Sequence, residues 1–217
     1  MNALIQDGSF VIGSLSAVEE LAQKDKALLL VLSDSHGAET NLELPILEFG
    51  EKCDAIVFCG DGLSEFTRLL EKSKTDSVLS KCIPPVVAAV SGNNDFGGYV
   101  LNGEHLSFPL SITLNVCGHP FYITHGHRHS LFYGYESLAQ SAYEQNGELC
   151  IFGHTHVALR SHCNGVFLLN PGSCARPRGG QPPSFATLRV SKESWNFDST
   201  IYALTPGKIH AYNPENN

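Results

Sequence analysis

The chain has 217 residues, of which 42% are hydrophobic and 17% charged. That composition supplies the core of a single domain and excludes a disordered, coiled-coil or collagen-like chain. Lys and Arg total 14 and Asp and Glu 22, a formal charge of −8, which repels a phosphate backbone and excludes long nucleic acid as a default partner.

The longest purely aliphatic run is Ala27–Leu32, far short of the roughly 20 residues that span a membrane. No basic residue precedes Lys24, and no stretch resembles a signal-peptide core. The seven cysteines (Cys53, Cys59, Cys82, Cys117, Cys150, Cys163, Cys174) are odd in number and lack a CxxC pair. A cytoplasmic protein with reduced thiols and no membrane association is therefore expected. Ten histidines against one Met and one Trp are the unusual feature.

Residues 1–24 read as an arm with a helix over Ser16–Gln23, capped by Ser16 with Glu19 three residues on. Short apolar runs come next at Ala27–Leu32, Ala55–Cys59, Val86–Val90, Phe121–Ile123, Leu149–Phe152 and Val166–Leu169. Most lack alternation, as strands buried on both faces require. Helices are expected around Leu42–Lys52 and Ser64–Ser73, giving a βαβαβ first half, and at Tyr135–Asn146. Leu110–Val116 and Phe121–Thr124 read as strands around a Cys117–Pro120 turn, and Cys163–Gly165 as a hairpin turn between Val157–His162 and Val166–Leu169. Ala186–Val190 and Thr200–Leu204 add strands near the end. A parallel half and then a hairpin-rich half imply an α/β fold of two packed sheets flanked by helices.

The informative pattern lies just past the strands. Leu32–Ser33 leads into Asp34-x-His36, Cys59–Gly60 into Asp61, and Ser91–Gly92 into Asn93–Asn94–Asp95. Ile123–Thr124 leads into His125–Gly126–His127, and Phe152–Gly153 into His154–Thr155–His156. Strand carboxyl ends form one rim in open α/β sheets. On a shared rim Asp34, His36, Asp61, Asn93, His125, His154 and His156 converge. Four imidazoles, two carboxylates and an amide suit Mn, Fe, Zn, Co or Ni better than Mg or Ca. Seven donors around a shared carboxylate favour two divalent metals about 3.5–4 Å apart, the arrangement that hydrolyses phosphoesters.

Taken in order, these motifs resemble the calcineurin-like metallophosphoesterase superfamily. With Asn170–Pro171–Gly172–Ser173 and Pro177–Arg178 they resemble its YfcE-type phosphodiesterase branch, over about residues 26–191. The resemblance implies a four-layer α/β/β/α sandwich. It implies one metal on Asp34, His36, Asp61 and His156, a second on Asp61, Asn93, His125 and His154, and Mn²⁺ as the usual ion. The implied activity is hydrolysis of a small or flexible phosphodiester by a metal-bound hydroxide. One departure is Asn94, standing where many relatives carry the His that protonates the leaving group; an amide cannot serve as that acid. The terminal arm and the 192–217 extension, with Trp195, Phe197, Tyr202 and Tyr212, depart too, and homo-oligomerisation stays open.

Asn94, Asp95 and His127 are the candidate catalytic residues. Asn94, His127 and Arg178 are the candidate substrate contacts. His127 has a second reading, as support for His125, and Asp95 reads better as a loop anchor than as a nucleophile. Arg176 and Arg178 read as anion-steering or as solvated loop charges. His105, His119, His162 and His210 are expected at the surface, and Cys59 and Cys174 as inert packing. Two alternatives remain: a phosphomonoesterase or protein phosphatase with the same site, and a non-catalytic scaffold of the same fold, as the superfamily's trafficking-coat subunit is.

Overall fold

Aliphatic runs without alternation need cover on both faces, and the chain provides it by stacking two sheets between helices. The computed structural model describes residues 2–6 and 8–214, the side chains of Trp195 and Asn196 excepted, so the Trp195 expectation lies outside the described residues. In chain order the first elements are α1 (Leu15–Gln23), β1 (Lys26–Leu32), α2 (Glu39–Phe49), β2 (Ala55–Phe58), α3 (Leu63–Lys72), α4 (Ser77–Cys82) and β3 (Val86–Ala89). A small hairpin, β4 (Tyr99–Leu101) and β5 (Glu104–Leu106), precedes β6 (Ser111–Val116), β7 (His119–Thr124), α5 (Glu136–Glu144) and β8 (Leu149–Ile151). The rest is strand: β9 (Leu159–Cys163), β10 (Val166–Asn170), β11 (Ser184–Ser191), β12 (Ser194–Thr205) and β13 (Lys208–Tyr212).

Six strands in the order β13-β12-β11-β1-β2-β3 form one sheet, and five in the order β6-β7-β8-β10-β9 form the other. β1, β2 and β3 run parallel, as do β7, β8 and β10. Side-chain alternation then sorts the apolar residues into three interlayer cores. Leu29, Val31, Val57 and Ala88 of the first sheet meet Phe121, Ile123, Ile151 and Leu169 of the second. On the first sheet's other face Leu30, Leu32, Ile56 and Phe58 pack with Leu42, Ile46, Phe66 and Leu69 of the helices. Tyr122, Cys150, Phe152 and Leu168 receive Leu138, Ala139 and Ala142 of α5. Three cores separate four layers, so the expected α/β/β/α sandwich is the observed fold.

Both termini extend the first sheet. Ile12 of the arm is fully buried and bridges to Val87 at the β3 edge. At the other end Tyr202 of β12 stacks on Phe185, centroids 5.2 Å apart, and Phe197 meets Phe121 edge-on at 5.5 Å. Tyr202 and Phe197 thus pack on their own chain.

Several expectations are corrected. Ser14, not Ser16, caps α1, its hydroxyl accepting from the Ala17 N–H. α2 begins earlier than expected, at Glu39; its first turn, Glu39–Thr40–Asn41, is polar and gives no apolar signal in the sequence. The last residues expected in that helix, Gly50–Lys52, form a 3₁₀ turn. α4, capped by Asp76, and the β4–β5 hairpin around Asn102–Gly103 are absent from the expected elements, both being too short to show a period. His119 is buried rather than superficial: it opens β7 and pairs with Glu148 at 2.7 Å and the Ser191 carbonyl at 3.1 Å. All seven cysteines are free, and Cys59 and Cys174 are buried.

Phe66 lies flat on Phe58, centroids 4.6 Å apart and 11° from parallel. Phe66→Ala is expected to cost about 3–5 kcal/mol, read as a lower urea midpoint at unchanged slope; a loss below about 1 kcal/mol would show that this layer repacks freely.

Candidate metal centre

Asp34, Asp61, Asn93, His125 and His154 each come after a parallel strand (β1, β2, β3, β7 and β8) within four residues. The chain must turn sharply there. Five of the seven expected ligands have left-handed backbones: Asp34 (φ 55°), His36 (43°), Asp61 (57°), His154 (66°) and His156 (60°). Such residues cost of order 1–3 kcal/mol each and persist only where the surroundings over-determine them.

Those surroundings are explicit. Asp95 accepts four backbone N–H bonds, from Asp61 and Gly92 at 2.7 and 2.8 Å and from Gly62 and Leu63 at 2.9 Å. Glu65 of α3, buried, accepts from the Ser35 hydroxyl at 2.7 Å and the Gly37 N–H at 2.6 Å, bracing the His36 loop. The Ser173 hydroxyl donates to the Asp34 carbonyl at 2.7 Å, and the Asn170 amide to the Gly153 carbonyl at 2.8 Å. Two glycines permit the approach: a Cβ on Gly92 would lie 2.1 Å from the Asp61 carboxylate, and one on Gly153 would lie 2.0 Å from the Ser33 hydroxyl.

The side chains form two groups that share Asp61. Ligand atoms of Asp34, His36, Asp61 and His156 all lie within 4.8 Å of one another. His125 Nε2 lies 3.5 Å from Asp61 Oδ2 and 3.2 Å from Asn93 Oδ1, and the His154 ring sits 5.1 Å from that of His125. Nδ1–H of His125 donates to the Cys59 carbonyl at 2.7 Å and Nδ1–H of His156 to the Arg176 carbonyl at 2.6 Å, which turns both Nε2 atoms inward.

The residues present fit a divalent cation. Asp34 is fully buried, and its Oδ1 has no hydrogen-bond partner although His156 Nε2 lies 3.1 Å away. His36 and His156 bring their Nε2 atoms to 3.0 Å. Nitrogen and carboxylate donors converging without a proton inventory to match are what a transition metal satisfies. Burial pushes the imidazoles of His36 and His154 down, keeping them neutral and able to ligate at pH 7. Burial also presses His125 downward, but Asp61 and Asp34 outweigh it and its pKa ends raised. For Asp61 burial acts upward, and His125 and Asn94 together more than reverse it, holding the carboxyl well below the usual range.

The remaining candidates lie around this cluster. Asn94 is exposed and holds both Asp61 oxygens, through its N–H at 2.7 Å and its amide at 2.5 Å. Asp95 is the loop anchor described above. His127 does not orient His125, whose Nδ1 is taken by Cys59; its ring lies 5.4 Å from that of His125, and its buried Nδ1 has no partner. Arg176 and Arg178 both line the groove with His36, Asp61, Asn93, Asn94, His154 and His156. Sequence reasoning missed Glu65, which nothing local distinguishes from an ordinary polar residue, and singled out Asn170 and Ser173 as part of a motif without their bracing role.

A two-sheet sandwich that brings Asp and His side chains to one rim is consistent with a dinuclear metal site in a metallophosphoesterase fold. The chain belongs to the calcineurin-like phosphoesterase superfamily, whose domain model matches residues 28–193. It is 28% identical over 166 residues to the probable metallophosphoesterase YsnB of Bacillus subtilis, covering 76% of this chain and 86% of that protein. It is 29% identical over 168 residues to the phosphodiesterase YfcE of Escherichia coli, covering 74% and 86%. The fold is shared with vacuolar protein sorting 29 of Cryptosporidium parvum, TM-score 0.68 at 20% identity, covering 87% of this chain and 97% of that one.

Two outcomes are expected. Asp95→Asn, which removes one anionic acceptor from four N–H groups, should weaken metal binding about 10–100-fold in equilibrium dialysis; undiminished affinity would show that the Asp61 loop holds itself. If His125 ligates, metal displaces a proton from an imidazole whose pKa is raised, and affinity should rise from pH 6 to pH 8. A flat pH series would show that His125 does not ligate.

Proposed function

We propose that the protein is a dinuclear-metal phosphodiesterase of the YfcE-type branch that hydrolyses a small or flexible phosphodiester. The observation that carries this is the pair of donor groups sharing Asp61, one around His36 and His156 and the other around His125 and Asn93. Asp34, His36, Asp61 and His156 would hold one ion, and Asp61, Asn93, His125 and His154 the other, with Mn²⁺ the expected metal. When bound, such a pair supplies an activated water and neutralises charge growing on phosphorus.

The chain's own residues do the rest. Arg176 and Arg178 line a groove of about 430 Å³ with the ligands and attract the phosphoryl oxygens there. Asn94 keeps Asp61 oriented and cannot protonate a leaving group, so good leaving groups react fastest. His127 is the imidazole left to hydrogen-bond the substrate. The name of YfcE supports a diesterase, and a single cytoplasmic domain remains our expectation. Among the described residues no helix is long and apolar enough to cross a membrane.

Metal-loaded protein should hydrolyse bis-p-nitrophenyl phosphate faster than p-nitrophenyl phosphate, and EDTA should stop it until Mn²⁺ is restored. Asp61→Ala and His125→Ala should each lower turnover by more than about 10²-fold while circular dichroism stays unchanged. Faster monoester turnover would make the protein a phosphomonoesterase. Metal uptake without turnover of either ester would favour the scaffold.

A further inference from the structure

The loop that begins at His125 continues beyond the metal centre into a second cavity. It measures about 250 Å³ and is lined by Leu110, Ser111, Tyr122, Thr124, His127, Arg128 and His129. His127 joins it to the metal groove, its ring 6.2 Å from that of His154, which lines the groove. His127, Arg128 and His129 come from one turn of that loop, closed by the His129 N–H donating to the Gly126 carbonyl at 3.0 Å.

The lining sets the chemistry of that ligand. It holds one guanidinium, two imidazoles and three hydroxyl residues, and none of its seven residues is acidic, although the whole chain carries a charge of −8. The Thr124 hydroxyl already donates to the Leu110 carbonyl at 2.9 Å, so it can only accept from a ligand. Ser111, Tyr122 and Arg128 remain as donors, with the two imidazole rings beside them. Donors arriving from β6, β7 and the loop after β7 surround a tetrahedral oxyanion better than a planar carboxylate.

We propose that this cavity is a subsite for a second phosphoryl group of the substrate, carried a short distance from the scissile phosphorus. The proposal rests on the phosphodiesterase reading of the metal centre and adds the class of diester: one with a terminal phosphate. Arg128 and His129 then act as specificity-determining residues, since they bear on the second phosphate and not on the bond that breaks.

The test compares the dinucleotide ApA with its 5′-phosphorylated form pApA, which differ only in that phosphate. Wild-type protein should favour pApA at least tenfold in kcat/KM, mainly through KM. Arg128→Ala and His129→Ala should bring that ratio towards one, with ApA turnover, metal content and Tm unchanged. Arg128→Lys should restore part of the preference. Equal kcat/KM for the two dinucleotides, or a preference that survives Arg128→Ala, would overturn the subsite and leave the diesterase standing. If neither dinucleotide is cleaved, their poor alkoxide leaving groups leave the diesterase reading to bis-p-nitrophenyl phosphate, and binding decides the subsite. Calorimetry on metal-loaded protein should then show adenosine 3′,5′-bisphosphate binding more tightly than adenosine 5′-monophosphate, with Arg128→Ala removing the difference. Equal affinities would overturn it.

Discussion

The rim depends on a backbone held where L-residues resist going. Asp34, His36, Asp61, His154 and His156 all have φ between 43° and 66°, a region that admits Asp and His more readily than β-branched residues. Relaxing any one of them would swing its side chain away from the others. The restraint comes from charge-assisted bonds: four N–H groups on Asp95 and an N–H and a hydroxyl on Glu65. Each such bond contributes about 1.5–3 kcal/mol, the same order as the strain at one residue. Glycine at 92 and 153 is the steric condition for it, since a methyl group would collide with Asp61 or Ser33.

The sandwich brings these loops within reach of one another. Three parallel strands in each sheet present their carboxyl ends to the same rim, and the apolar layer between the sheets fixes the spacing. Asp34 of the first sheet accepts from the His154 N–H of the second at 3.1 Å, so the cluster also fastens the two sheets together. The terminal segments act further out. Ile12 pairs with the edge strand β3, and β12 with β13 extends the opposite flank. Both cover edges that would otherwise expose unpaired backbone.

Much of this was legible in the sequence because the signals are local. Continuous runs such as Val86–Val90 announce doubly covered strands, and Asp, Asn or His placed just past several of them announces a rim. Asp34, His36, Asp61 and His156 meet as that pattern expects. What stayed hidden is long-range. Glu65 reads as a solvent-facing helix residue until α3 is packed under the His36 loop, and His119 reads as a turn residue until Ser191 arrives beside it. Asn94 illustrates both limits: its identity rules out an acid, but only the fold shows it gripping Asp61.

Fold kinship alone leaves catalysis and scaffolding equally available, since at 20% identity the vacuolar sorting protein shares the architecture and nothing more is implied. Energetics bears on whether the site holds an ion. Asp34, Asp61, His125 and His156 are nearly or wholly buried, and burying ionisable groups is costly unless something pairs with them. One Asp34 oxygen has no hydrogen bond at all. Replacing these side chains by apolar ones would relieve the desolvation but not the backbone strain, which β-branched residues tolerate less well than Asp or His. A chain that retains the left-handed turns, the bracing carboxylates and the inward-facing imidazoles together keeps the donors that a divalent ion needs, and turnover rather than metal uptake separates an enzyme from a scaffold.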